Sequence, residues 1–167
     1  IFGTRPEAIK LAPVAKSLKA VLGEEGVRVV STAQHREMLD QVLDIFQIKP
    51  DYDLNLMKEN QNLNGLCADM LTGLNCIFLE DRPSRVVVQG DTTTCFSAAL
   101  AAFHLGIPVD HIEAGLRTGD LSSPFPEEMN RRFCDLVSAE CYAATNNAAE
   151  ALIAEGVSRE RIHVTGN

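Results

Sequence analysis

Long apolar runs, paired cysteines and a surplus of positive charge are all missing from this 167-residue sequence. No stretch reaches the roughly 18–20 apolar residues of a membrane-spanning helix, and no signal-peptide pattern is present. The five cysteines are odd in number and contain no Cys-x-x-Cys, so they read as reduced, mostly buried thiols of a cytoplasmic protein. The four histidines are scattered and suggest no metal site. A formal net charge of −8 offers no basic face to a nucleic acid. It still permits a phosphate-bearing small molecule, because a local Arg or a helix N-terminus can hold a phosphate in an acidic protein. Neither G-x-G-x-x-G nor a Walker loop occurs, and there is no internal repeat, low-complexity segment or linker.

What is present is the composition of a globular domain, 46% hydrophobic and 23% charged, in a chain long enough for one core. Ile1-Phe2 reads as the tail of a first strand and Gly3-Thr4 as the turn leaving it. Thr4 and Glu7 have capping-box spacing with Pro6 tolerated in the first turn. The helix they open runs to about Leu22, with Ile9, Ala12, Ala15 and Leu18 on one face. Further helical patterns span about 36–46 (Met38, Val42, Ile45, Phe46), 62–81, 98–105, 127–137 and 148–155. Strand patterns fall at 27–30, 54–56, 85–88, 109–113, 141–144 and 162–165. This alternation calls for an α/β, Rossmann-like, doubly wound parallel sheet over residues 1–167. The chain opens on two residues of what reads as a longer strand and stops as a short strand gives way to a loop. It is therefore expected to be one lobe of something larger, truncated at both ends.

In such a sheet, ligands bind beyond the carboxyl ends of the strands. Residues 3–7, 33–36, 90–94 and 113–131 all fall at that edge. Gly3-Thr4-Arg5-Pro6 turns into a helix N-terminus beside a cation, which is either a diphosphate seat or a capped helix with a surface Arg. In Gly90-Asp91-Thr92-Thr93-Thr94, either Asp91 or a Thr caps the next helix, or Asp91 is a carboxylate aimed into the cleft. His35 either orients a ligand or caps a helix. Glu127 and Arg131 share a helix face, as an ordinary surface ion pair or as part of a site. Position favours the site, since residues 122–126 must cover the edge where Glu113 emerges. Three carboxylates in one crevice would repel one another and push at least one pKa upward, as acid/base work requires. Arg131 could hold a neighbouring carboxylate ionised or bind a phosphate. Glu128, on another helix face, is expected to point to solvent.

GTRPEAIKLAPV (3–14), TAQHREMLDQVL (32–43), QGDTTT (89–94), HIEAGLRTGD (111–120) and SPFPEEMNRR (123–132) together resemble the non-hydrolysing UDP-N-acetylglucosamine 2-epimerases, over almost the whole chain and in the family's order. The resemblance implies the N-terminal lobe of a two-lobed GT-B-type fold, with the C-terminal UDP-binding domain absent from this chain. It implies interconversion of UDP-GlcNAc and UDP-ManNAc without nicotinamide, metal or other cofactor. UDP is eliminated across C1–C2 to give a 2-acetamidoglucal and then added back. The product would feed cell-surface polysaccharide synthesis, and the enzyme would be a cytoplasmic homodimer with no nucleic-acid or membrane partner. Carried onto this sequence, the catalytic acidic residues correspond to Asp91, Glu113 and Glu127, and Arg131 matches an active-site arginine. Arg5 and Lys10 match positions near the diphosphate. Gln34 and His35 match a loop associated with substrate or regulatory nucleotide-sugar binding. Gln89 stands where relatives often have His, Cys95 follows the Thr run, and Asp110 replaces a small residue; none is expected to touch the acid/base set. Because the second lobe holds most UDP contacts in that family, this chain is expected to be inactive alone. The alternatives are a GT-B glycosyltransferase, a hydrolysing UDP-GlcNAc 2-epimerase, and a non-catalytic nucleotide-sugar-binding module.

Overall fold

A computed structural model describes residues 1–33, 36–58 and 61–167, and the side chains of all of these except 36–38. Gln34 and His35 lie outside the described residues. Helices α1 (Arg5–Leu22), α2 (Arg36–Phe46), α3 (Leu63–Asp81), α4 (Thr93–His104), α5 (Glu127–Val137) and α6 (Asn146–Ala154) alternate with strands β1 (Val30–Ser31), β2 (Tyr52–Asp53), β3 (Val86–Gln89), β4 (Val109–Ala114), β5 (Glu140–Ala143) and β6 (Ile162–Val164). The expected alternation is present, and every strand pairing is parallel.

The strands form two ladders, β1-β2 and β3-β4-β5-β6. Residues 1 and 2 join them. Phe2 N–H donates to the Val30 carbonyl (3.1 Å), Thr32 N–H to the Phe2 carbonyl (3.0 Å), and the Ile1 amino group to the Val87 carbonyl (3.0 Å). The chain therefore leaves the middle of the sheet, builds one side, and returns at β3 to build the other. That reversal is the topological switch point, beyond which ligand crevices form.

Side-chain alternation along β3 divides the core. Val86 and Val88 join Met70, Leu74 and Phe78 of α3 and Ala98 and Ala102 of α4 in one cluster, while Val87 packs with Phe2, Ala8, Leu11, Leu39 and Val42 in another. Alanines on α4 let that helix lie close to the sheet, and each fully buried Leu or Val contributes about 1.5–3 kcal/mol through apolar burial.

Several expected details shift. The buried stripe of α1 is Ala8, Leu11 and Ala12, and Ile9 is exposed. Positions 8, 11, 12 and 15 follow the i, i+3, i+4, i+7 spacing of a helix face, whereas 9, 12, 15 and 18 step by three throughout and drift around the helix, so the sheet took the first of two overlapping faces. Ile45 of α2 is also exposed. The edge strand is Tyr52–Asp53, although Leu54 and Leu56 N–H groups still donate to the Ser31 and Thr32 carbonyls. α4 starts at Thr93 rather than 98 because Thr92 caps it, accepting from Cys95 N–H (3.1 Å).

Gly3 is required by crowding at the switch point. A Cβ there would stand 2.1 Å from Thr32 Oγ1 and 2.2 Å from Thr94 Oγ1, and those hydroxyls are hydrogen-bonded to each other at 2.9 Å.

Candidate active site

Glu113, next to last in β4, lies in the left-handed region, φ +67°, at a register irregularity between Ile112 and Ala114. Such a bulge re-aims a side chain, and the left-handed backbone is costly for a non-glycine residue, so both features mark a position held for a purpose. Four hydrogen bonds from three side chains converge on its carboxylate. Lys10 Nζ lies 2.6 Å from each oxygen, Gln89 Nε2 donates to Oε2, and Asn167 Nδ2 donates to Oε1 at 3.1 Å. Lys10, expected near a diphosphate, thus sits on the proposed acid/base residue itself. Gln89, expected to stand apart from the acid/base set, is a direct partner of Glu113, because the last residue of β3 lies beside the end of β4.

Asp91 follows Gly90, where a Cβ would be 3.9 Å from Glu113 Oε2. With Thr92 serving as the cap of α4, the Asp91 carboxylate is left for Arg131, which donates to Oδ2 through its Nη2. Arg131 also reaches Glu128 Oε2 with Nη1 (3.4 Å), while its buried Nε has no hydrogen-bond partner. Of the two readings of Glu127 and Arg131, the surface ion pair does not form. Glu127 is half-buried and carries no hydrogen bond or ion pair to any described residue. Glu128 is the opposite of its expected solvent-facing self. It is fully buried and accepts from the N–H groups of Thr118 (3.2 Å) and Gly119 (3.3 Å). The loop from β4 folds back over the first turn of α5 and covers that face.

The turn at Gly3-Thr4 is not an open anion seat. Its Gly3 and Thr4 N–H groups both point to Glu7 Oε2 (2.9 and 2.8 Å), and the Thr4 hydroxyl adds a third bond at 2.8 Å. Thr92 Oγ1 donates to Glu7 Oε1 at 2.5 Å, tying α1 to the start of α4. Burial pushes the Glu7 carboxyl above its ordinary range against the pull of these donors. What remains for an anion at this corner is the Arg5 guanidinium, exposed and without a partner among the described residues.

Beneath the cleft lies a buried chain of polar groups that composition and spacing did not single out. His111 Nδ1 is 2.7 Å from Asp135 Oδ1, and its Nε2 is 2.7 Å from the Gly90 carbonyl. Asp135 Oδ2 accepts from Gly115 N–H (3.1 Å) and pairs with Arg117 (2.7 Å), which in turn pairs with Glu155. Gly115, at φ +86°, cannot be replaced, since a Cβ would fall 2.3 Å from the Ala148 carbonyl oxygen. Among the described residues no group of three or more His, Cys, Asp or Glu stands together as metal ligands. A cavity of about 360 Å³ opens on the opposite side of the molecule from these carboxylates, lined by Leu18, Val29, Phe78, Arg85 and Asp110. Its Arg85 and Asp110 are already paired to each other at 2.8 Å, which leaves it without free chemistry of this kind.

A parallel α/β sheet with carboxylates and cations gathered beyond its strand ends, next to the switch point, defines a ligand-binding lobe of the GT-B type. The chain belongs to the UDP-N-acetylglucosamine 2-epimerase family, whose model matches residues 21–167. It is 51% identical to the UDP-N-acetylglucosamine 2-epimerase of Yersinia pestis, over all of this chain and 44% of that protein. Among solved structures, the Neisseria meningitidis UDP-GlcNAc 2-epimerase bound to UDP-GlcNAc superposes with a TM-score of 0.92 at 49% identity, covering 99% of this chain and 45% of that one. The Methanocaldococcus jannaschii enzyme in complex with UDP-GlcNAc and UDP gives a TM-score of 0.92 at 35% identity, covering 99% and 45%. The chain thus spans less than half the length of the relatives it matches.

Proposed function

We propose that this chain is the N-terminal lobe of a non-hydrolysing UDP-GlcNAc 2-epimerase and carries its acid/base groups, with most UDP contacts in a second, C-terminal domain. One observation carries the proposal: Asp91 and Glu113 stand at the ends of the paired strands β3 and β4, each tied to a cation, and the helix that supplies Arg131 also carries Glu127, which has no partner among the described residues. Epimerisation at C2 needs one group to take the proton from one face and another to return it to the other. As the C2–H bond breaks, its electron pair forms the C1=C2 bond and the C1–O bond to UDP breaks, leaving 2-acetamidoglucal and the diphosphate. UDP then adds back at C1 as a proton arrives at C2 from the opposite side. Lys10 and Arg131 keep two carboxylates in fixed positions, and Arg5 is placed to meet the departing diphosphate. Gln34 and His35 are assigned to substrate or regulatory nucleotide-sugar binding through the family resemblance alone. The same resemblance supports a cytoplasmic homodimer that supplies polysaccharide synthesis, and sedimentation of the completed protein tests the dimer.

The activity is tested on a completed enzyme: this chain joined to the portion of the Neisseria meningitidis protein that lies beyond its match. In deuterium oxide that chimera should exchange the C2 proton and form UDP-ManNAc from UDP-GlcNAc, whereas the 167-residue chain alone should do neither. Turnover by the isolated chain, or release of free sugar or a glycosylated acceptor by the chimera, would overturn this assignment.

A further inference from the structure

Four residues on the face that α5 turns toward β3 and β4 reach one turn of backbone. Asn130 Nδ2 donates to the Asp91 carbonyl (2.8 Å) and Arg131 to the Asp91 carboxylate. Cys134 Sγ meets Cys95 Sγ at 3.4 Å, and Cys95 Sγ in turn donates to the Gly90 carbonyl (3.2 Å). Asp135 meets His111, whose other nitrogen faces the same Gly90 carbonyl. Positions 130, 131, 134 and 135 are spaced i, i+1, i+4, i+5, which is one helix face. Each of these four residues reaches Gly90 or Asp91 directly or through one intermediary, while Asp135 also holds Gly115 and Arg117, and Arg131 also reaches Glu128.

The hydrogen-bond pattern settles the state of the histidine. A carbonyl oxygen only accepts, so His111 Nε2 carries a proton. Asp135 is held ionised by Arg117 at 2.7 Å, and so also accepts, which places a proton on Nδ1. We infer that His111 is a positioning residue: a buried imidazolium clamped between Asp135 and the Gly90 carbonyl, which fixes the turn that presents Asp91 to the cleft. Asp91's share in the chemistry rests on the function proposed above; the clamp does not.

The groups facing the ring are few. Asp135 comes from α5, the Cys95 thiol from α4, and the Cys141 thiol from the register position beside it on β5, with Arg117 reaching Asp135 from the loop after β4. Burial disfavours the charged ring, but the ionised Asp135 outweighs it and holds the His111 pKa above the ordinary histidine value; Cys95, a neutral thiol donating to Gly90, adds no charge. Burial would likewise raise Asp135, yet His111 and Arg117 bring it below the ordinary carboxyl range.

The ¹⁵N shifts of the His111 ring, followed by NMR on the 167-residue chain, test the clamp directly. Both ring nitrogens should remain protonated at neutral pH, past the ordinary histidine midpoint. A neutral tautomer at neutral pH would overturn the proposal. In His111→Gln, exchange of the Gly90 amide should quicken by about tenfold or more while the Cys141 and Ala143 amides of β5 keep their rates. Equal rates at Gly90 would also overturn it. Should that variant not fold, Asp135→Asn gives a second reading, because it keeps the shape and removes the charge. The ring should then lose a proton at neutral pH, and retention of both would count against the clamp. In the chimera, His111→Gln should lower kcat by about tenfold with KM changed by less than about threefold. A loss carried by KM, or none, would overturn the positioning role. A wild-type chimera without epimerase activity would instead strike the function proposal, while the ring and exchange measurements would stand.

Discussion

The cleft has a pinned floor and an unpinned rim. On the floor, Glu113 takes four hydrogen bonds from three donors' side chains, and Asp91 is held by Arg131 at its carboxylate and by Asn130 at its carbonyl. On the rim, Glu127 and Arg5 have no partner among the described residues. Glu127 and Glu128 are neighbours on α5 and illustrate the contrast: one glutamate is committed to holding a loop, the other is left uncommitted. The difference separates two uses of charge. Floor charges are neutralised in place, which relieves the repulsion expected of three bare carboxylates and fixes their geometry. Rim charges gain a partner only when something enters.

Breaking the floor should cost most. Glu113→Gln in the chimera should reduce C2-proton exchange by about 10²–10⁴-fold, the usual contribution of a positioned acid or base. Glu127→Gln should lower the same exchange without measurably altering the urea midpoint; equal losses of activity and stability at both positions would erase the distinction between floor and rim. Next comes Glu128→Ala, which strands two backbone N–H groups and one side of Arg131. It should destabilise the chain by about 2–4 kcal/mol in urea unfolding, in the range for removing one partner of a buried charged hydrogen-bond network. A cost below about 0.5 kcal/mol, typical of an exposed position, would mean that the loop does not rely on it.

The buried clamp makes a pH prediction of smaller size. Because His111 is raised on folding, its contribution to stability is complete below its ordinary midpoint near pH 6.5 and is lost as pH rises toward the folded value, at up to about 1.4 kcal/mol per pH unit. Asp135 is lowered, so its contribution is present above roughly pH 4 and is lost in acid as pH falls through the folded value. The buried Ile1 amino group, lowered to about 6, acts in the opposite direction, so the histidine is read by difference: from pH 6 to 9 in urea unfolding, stability should fall less, or rise more, with pH in His111→Gln than in the parent chain. An unchanged slope in the variant would remove the histidine from the account.

The helices were legible because apolar spacing and turn residues punctuate them: α5 at 127–137 and α3 after its Asn62 cap fall where the pattern places them. So was the edge of the sheet where the charges gather. What was hidden depended on the third dimension. Nothing in local spacing marks the bulge that turns Glu113 into the cleft, or shows that Thr92 rather than Asp91 caps α4. Glu128 looked solvent-facing because helix periodicity says which residues share a face, not which loop will fold over it. His111 and Asp135 sit 24 residues apart, and only the β4–α5 packing reveals their bond. Gln89 and Asn167 likewise reach Glu113 from separate strand ends.

The smallest effect belongs to the rim. Arg5 lies at the mouth of a turn whose own amides are consumed by Glu7, so its guanidinium is the group left there to meet a phosphate. Removing it exposes no buried donor and breaks no bond to a described residue, so Arg5→Ala should leave stability within about 0.5 kcal/mol. A charge-assisted contact to a diphosphate is worth roughly 1.5–3 kcal/mol, which corresponds to a KM for UDP-GlcNAc raised by about tenfold or more in the chimera. If the contact strengthens as the C1–O bond breaks, kcat falls as well, because only an interaction gained in the transition state speeds the chemical step. If it is equally strong before and after, KM alone changes. Comparing the two parameters for Arg5→Ala would show whether the rim merely holds the substrate or takes part in the departure of UDP. Neither parameter changing would place the diphosphate elsewhere and leave Arg5 an ordinary surface cation.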